Sequence, residues 1–566
     1  MYKCNVGILA VVLGLSTPVL SAEKPPVFNW QTVVNNGVVV PGDSRKFNSY
    51  NQPSMNMNRF VVFRARSKGG DKGEPAHGIF TRDMNTLSPL STMFDRNTLV
   101  PPPNNLSSTF TEPPSFPRID LSYPVIVSRG NHRPAWEFIP AGETEETRAG
   151  TTGIYTNGFG ELIIGASNLG SVPDFSFFAV PGTAGVKFDV FPGTPSVTIH
   201  PTGNAAMRVA TIVFKGNYTE NSAGKTGVYF RDLTDDPIEL SDGSMLSPAG
   251  GEDPVVVIAN TDTRIPGTKV TFGSTAPPSA ADGKAVFTGL DNEDFPTQGG
   301  IYLVHLIKPN PPTTVLVRIG DQVPGEANGV GFNRLGEALS FDGRFVAFWG
   351  AWGNEMKTLI LQCPTMGNKI RNAYCNAIHP SGALTTVPLH QGIFVYDTVQ
   401  RSLTAMAKAP NDYDDFVYWN FTGFVQGMGE SGGSGETDDT GEPARWRSAT
   451  FLAVAGVGVG GPKAVTHLAA FKARKGAVSN GAYVNPVDGV YLGGGPGTFP
   501  LTTVIQTGMD GKLIDPAMPL SLPVTELGLE RDGFRNNALV MNVGMGVEEA
   551  GWAGIYLTTL PSGLIP

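Results

Sequence analysis

The chain of 566 residues has little charge, few cysteines and few histidines, and each scarcity narrows the field. Only 16% of the residues are charged, and 70 Gly with 46 Pro accompany them, which excludes a helical bundle because both residues break helices. There is no excess of positive charge either. The net charge is −9 (41 Lys+Arg against 50 Asp+Glu) and gives no general attraction for phosphate backbones or anionic lipid, so nucleic acid is not an expected partner. After the first 22 residues no apolar stretch approaches the roughly 20 needed to span a bilayer. G-x-S-x-G, H-E-x-x-H and phosphate-cradling Gly-rich loops are also missing from any fitting context. What remains is ample: 40% hydrophobic residues, 32 Phe and 14 Tyr, enough for a large core built from strands.

Residues 1–22 (MYKCNVGILAVVLGLSTPVLSA) combine an early Lys, an apolar run from Val6 to Leu15 and small residues before Glu23. That pattern predicts a secretory signal and a secreted or periplasmic mature protein beginning near residue 23. Removing it removes Cys4 and leaves Cys363 and Cys375, which an oxidising compartment would join. The same two cysteines with His379 and His390 also supply four zinc-type ligands, at a spacing that fits no standard finger. Two acidic stretches are calcium candidates without the alternating spacing of a calcium loop: 436–442 (ETDDTGE) and 291–294 (DNED). No resident cofactor is otherwise expected.

Self-similarity is the strongest signal. Gly followed by Ile or Val and then an aromatic recurs seven times, at Gly78, Gly153, Gly227, Gly300, Gly392, Gly489 and Gly554, and the first three intervals are 75, 74 and 73 residues. Each is preceded by a β-branched and aromatic strand, such as 59–66 (RFVVFRAR), 209–215 (VATIVFK) and 344–349 (RFVAFW). Asp-Gly pairs at Asp282-Gly283, Asp342-Gly343 and Asp532-Gly533 mark tight turns ahead of several of these strands. The unit is therefore strand, turn, strand. The segment 31–42 (QTVVNNGVVVPG) is similar to 314–325 (TVLVRIGDQVPG) but follows no Gly signal, whereas the last signal, GIYLTTL, has no such strand after it. A ring in which the first segment completes the last unit accounts for both ends and leaves few open sheet edges. The expectation is an all-β, seven-bladed β-propeller closed by the N-terminal strand, one domain over 23–566, with an insertion near 350–391 tied by the cysteines and a flexible loop near 427–445. Eight blades is the alternative, the extra one starting at 447–456 (RSATFLAVAG). A spacing near 75 exceeds the roughly 40 to 50 residues of common blades, so long connections or an extra strand per blade are implied.

The strands DGRFVAF and DGKAVF, each followed by GIF or GIY, with VPG turns between units, resemble exported bacterial tandem-repeat proteins named for an N-x-x-G-x-x-A-F motif. More distantly they resemble TolB-type propeller repeats with their S-P-D-G strands. Asn56 stands seven before Phe63 as that motif asks, with Arg59 where the motif has Gly. The resemblance implies export and a fold; it implies no activity. From TolB-type blades it implies further that ligands meet the face where second and third strands connect.

Basic groups gather next to those connections: Arg64, Arg66, Lys68, Arg129, His132, Arg133, Lys215, Lys472, Arg474 and Lys475. Such a patch on an acidic chain suits a carboxylated or sulfated glycan, because Arg forks match those anions, although acidic residues such as Glu74, Glu145 and Glu146 share the loops. Trp349 and Trp352 either stack on sugar rings or pack under the cysteine-tied loop. His132 flanked by Arg129 and Arg133, with Tyr218 one blade on, is the set that β-elimination from a uronic acid would need: cations for the carboxylate, and a base. Two readings follow, an exported non-catalytic binding or scaffold propeller and a polysaccharide lyase.

Overall fold

The computed structural model describes residues 27–69, 73–183, 185–201, 208–365, 368–423, 425, 443–457, 466–494, 499–547 and 551–564. Every Gly signal lies in a strand paired on both sides. The reason is local: residues i and i+2 of a strand share a face, so the aromatic ring of the third residue lies over the first. A Cβ at Gly489 would stand 2.5 Å from the Tyr491 ring, and one at Gly153 3.0 Å from the Tyr155 hydroxyl. A second aromatic then packs edge-on against the first. Phe47 on Phe80, Phe110 on Tyr155, Phe272 on Tyr302 and Phe332 on Phe394 cross at 85–89°, with centroids 4.7–5.5 Å apart. Each such pair contributes about 1 kcal/mol beyond its buried area.

Seven antiparallel sheets of this kind stand in a ring, the arrangement of a seven-bladed β-propeller. Blade one has Phe60–Ser67 and His77–Asp83 as its second and third strands, and blade two has Ile126–His132 and Thr152–Thr156. Blades three and four use Arg208–Glu220 with Ala223–Leu233, and Lys284–Leu290 with Gly299–His305. Blades five, six and seven use Phe345–Leu361 with Ala383–Asp397, Thr466–Lys475 with Val487–Gly493, and Ala538–Met545 with Trp552–Thr559. Apolar side chains fill the wedges between neighbouring blades, so there are seven cores rather than one, joining blade one to two (Val62, Phe94, Tyr155) and so on round to blades seven and one (Val33, Val61, Val540). Asn29–Asn35 is the outer strand of blade seven, running antiparallel to Trp552–Thr559 with Asn29 opposite Thr559 and Asn35 opposite Gly554. The ring is closed as the chain ends require.

Two sequence expectations are corrected. The stretch proposed to begin an eighth blade is split: Arg445–Ala449 pairs with Tyr418–Thr422 in a two-stranded ribbon, while Leu452–Val457 is the inner strand of blade six. The third Asp-Gly pair is not the turn it resembles. Asn536 and Asn537, with φ of 44° and 62°, make the tight turn before blade seven's second strand, whereas Asp282-Gly283 does so before blade four's, with φ of 50° and 67°. The extra length per unit is not an added strand. It sits in long connections between blades, in which Val40, Val180, Ile265 and Val323, each followed by Pro-Gly, are buried, and in inner strands broken into two pieces in five blades.

The inner strands meet at a polar hub. Asp532 receives two bonds from Arg118 of blade two (both 2.6 Å) and one from Arg535 (2.5 Å), and its carbonyl accepts Met55 N–H of blade one (3.0 Å). Arg118 Nη1 goes on to Ser196 and Ser279 of blades three and four, and Arg535 to the carbonyls of Phe341 and Val454 in blades five and six. Seven blades are thus tied through one buried residue, Asp532, and the two guanidinium groups on it.

The insertion expected near 350–391 is an arm. Blade five's second and third strands run on together beyond the sheet, as far as Leu361 opposite Ala383, and a helix, Lys369–Ile378, lies near the tip. Cys363 and Cys375 are joined there, with Cα atoms 5.8 Å apart. Thiol labelling of a denatured, unreduced chain beginning at residue 23 should therefore find no free cysteine; two free thiols would count against the bond. The signal-like segment 1–22, the acidic stretch 436–442 and most of the loop expected near 427–445 lie outside the described residues. Among the described residues, no helix is long and apolar enough to cross a membrane.

Candidate functional site

Period-two alternation in Thr466–Lys475 sends Ala469, Phe471 and Ala473 into the wedge against blade five, and Leu468 and Ala470 into the wedge against blade seven. Lys472 and Arg474 continue the second row past the point where that wedge is filled, so they project into a groove of about 440 Å³. Its walls come from far apart in the chain: Leu359–Gln362 of the arm, Tyr418, Trp419 and Trp446 of the ribbon, Gly481–Tyr483 and Asp488 of blade six, Thr525–Leu527 of blade seven and Gln52 of blade one.

The two cations are held differently. Arg474 forks onto Asp488 (2.6 and 2.9 Å) and lies between the rings of Tyr418 and Tyr483, at 4.9 and 4.6 Å from their centroids. The Lys472 ammonium has no hydrogen-bonded or ion-paired partner among the described residues; it faces the Tyr418 ring at 4.0 Å and the Phe451 ring at 5.3 Å. Burial pushes its pKa down to about 8, against the pull of Asp488. Three polar atoms of the aromatic wall, Tyr418 Oη, Trp419 Nε1 and Trp446 Nε1, also lack partners among the described residues. Beneath the groove Asp415, fully buried, accepts from Gln391, the Val417 amide (both 2.9 Å) and the Tyr483 hydroxyl, and pairs with Lys357 at 2.9 Å. The floor is satisfied, whereas the buried polar edges of the aromatic wall are not.

Of the residues singled out from sequence, Lys472 and Arg474 line this groove and the others lie elsewhere. Arg64 of blade one forks between Asn51 (2.9 Å) and Glu112 (2.7 Å). Arg66 and Arg133 are exposed on blades one and two, while Arg129 and Lys215 are half-buried on blades two and three. Trp349 is buried with its indole N–H on Gln391 (2.9 Å), and Trp352 is buried against His390, so both are packing residues rather than an open platform. His132 is buried: Nδ1 meets the Arg133 carbonyl (2.8 Å), Nε2 meets the Tyr155 hydroxyl (2.5 Å), and burial depresses its pKa to about 4. Tyr218 is buried too, against Phe188 and beside Tyr229 in the wedge between blades two and three. The structure places these two in separate cores. Asp291 accepts the amides of Thr297 and Gln298 (2.9 and 3.0 Å), the work of a loop-forming carboxylate. The two sulfurs of the zinc-type set are bonded to one another.

Sequence reasoning missed Tyr418, Trp419, Trp446, Phe451 and Tyr483. The available sign was the aromatic run YWNF at 418–421 with Trp446 after it, outside any repeat.

No protein-family model and no curated protein matches the chain. Among solved structures it is similar to the polysaccharide lyase Uly1, with a TM-score of 0.28 and 9% identity over 57% of this chain and 58% of that one. A likeness of that size carries nothing about activity.

Proposed function

We propose that the chain is an exported, non-catalytic β-propeller that binds an acidic saccharide in the groove above blade six. One observation carries the reading: Lys472 is an unpaired ammonium set between aromatic faces in a concave site. Flat aromatic faces offer apolar area to the C–H faces of sugar rings. The cation supplies the preference for a carboxylate or sulfate, which must act locally on a chain of net charge −9. Export rests on the signal-like first 22 residues.

Titration with uronic-acid and neutral oligosaccharides of equal length tests this. The acidic series should bind more tightly, weaken as salt rises, and weaken again above pH 8 as Lys472 loses its proton. Lys472→Ala should cost about tenfold in Kd, or roughly 1.4 kcal/mol, and Tyr418→Ala a similar amount. Equal binding of both series, or binding unchanged by Lys472→Ala, would overturn the reading. Release of unsaturated chain ends would favour the lyase instead.

A further inference from the structure

The wall of the groove is carried by an element that the ring does not need. The ribbon of Tyr418–Thr422 and Arg445–Ala449 has two faces. On one, Phe421 lies opposite Trp446 in register (centroids 5.5 Å apart), and both pack on the Cys363–Cys375 bridge. On the other, Tyr418 covers Lys472 and Arg474. The ribbon is therefore pressed between the arm of blade five and the face of blade six, and each of its aromatic residues touches one side or the other.

The arm is fastened at three levels. At its base Lys357 pairs with Asp415 (2.9 Å); midway, the Ile360 amide donates to the Gly481 carbonyl (2.8 Å). At the tip, Arg371 of the helix reaches the Gly423 carbonyl (3.3 Å). Among the described residues the tip bears on Phe421 and Trp446 of the ribbon, whereas Trp419 packs on the wedge between blades five and six. The cluster at the tip holds three buried ones among the described residues, Cys375, Phe421 and Ala444, a far smaller core than any wedge, so the covalent bond carries much of the tip's position. The seven wedge cores lie elsewhere and do not draw on it.

We infer that the Cys363–Cys375 bond is the positioning device of the groove: oxidised, it presses the ribbon onto blade six and sets Tyr418 over Lys472; reduced, it frees the ribbon while the propeller stays folded. Reduction by a dithiol cleaves the S–S bond into two thiols and closes the reductant to its own disulfide, so two electrons and two protons are passed and nothing else is consumed. The inference concerns the site assigned above and rests on that reading only for its effect on binding.

Hydrogen exchange of the mature protein, with and without a dithiol, separates the two. Reduction should speed exchange of the paired amides in 418–422 and 445–449 by about tenfold or more, and leave 466–475 and 538–545 unchanged. A Cys363→Ser/Cys375→Ser double variant should show the fast exchange without reductant and no further response to it. In the same samples the Kd for a uronic-acid oligosaccharide should rise at least about tenfold, with the main melting transition retained. Unchanged exchange in the ribbon on reduction overturns the inference, as does loss of protection throughout the ring. If the oxidised protein binds no saccharide, the functional reading fails, and the exchange data still decide the role of the bond.

Discussion

Asp532→Asn should destabilise the propeller by about 3–5 kcal/mol, the cost of leaving a buried charge without its partner. The side chains of Arg118 and Asp532 are 1% and 4% exposed, so water cannot replace what the carboxylate gives. Two guanidinium groups share it, and the amide of an Asn cannot supply the negative charge that both need. Burial alone would push the Asp532 pKa up, but Arg118, and then Arg535, outweigh burial and hold it below the carboxylate range. A depressed folded pKa means that the pair's contribution is fully present above the ordinary carboxylate value and is lost as pH falls through the folded value. The variant should therefore show a flatter acid limb than the wild type in denaturant titrations run at falling pH. Replacing Arg118 by Met and Asp532 by Leu together should recover part of the loss, because the double change strands only Arg535, whereas Asp532→Asn strands both guanidinium groups. A loss below about 1 kcal/mol for Asp532→Asn would mean that the hub is solvated and the ring is held by its wedges.

The repeat was legible because it is written in contacts within single strands. Gly489 and Tyr491 stand two residues apart on one face, so the constraint between them appears as a tripeptide wherever it recurs. The closing strand was legible because its partner was missing at the other end of the sequence. A second periodic signal was present and passed unread: Phe47, Phe110, Phe188, Phe272 and Phe332 each precede a blade's second strand and pack on the signal aromatic of that blade. Its distance from the tripeptide varies with loop length, which hides it from a fixed-period scan. Arg59 was readable only in part. Its φ of 56° is a conformation that glycine favours, which the residue type does not announce.

The groove was illegible for a different reason. Lys472 and Tyr418 are separated by 54 residues and Gln52 comes from the opposite end of the chain, so no local pattern joins them. His132 misled because its two Arg neighbours suggest an open basic loop, whereas the strand buries its ring between Phe110 and Tyr155. In a strand, adjacent residues face opposite ways, so proximity in sequence is weak evidence of a shared site.

Deleting residues 27–43 should lower the melting temperature more than any single substitution in the ring. Three contributions are lost at once. Val33 and Val34, both 0% exposed, leave the wedge between blades seven and one, at about 1.5–3 kcal/mol each. The edge of Trp552–Thr559 loses its outer partner and exposes a row of unpaired backbone groups, an aggregation site. Asp515 loses the Asn35 amide (2.7 Å), one of three side chains that hold this buried carboxylate, the others being Trp552 (2.8 Å) and Tyr556 (2.9 Å). A synthetic peptide of residues 27–43 added in trans should dock on the open edge, as strands commonly do, and restore part of the melting temperature. The same peptide with Val33 and Val34 changed to Asp should not, because its buried row would carry charge into the wedge. A deletion that melts like the full chain would show that the strand covers the ring without closing it, and the hub around Asp532 would then be the main tie between first and last blades.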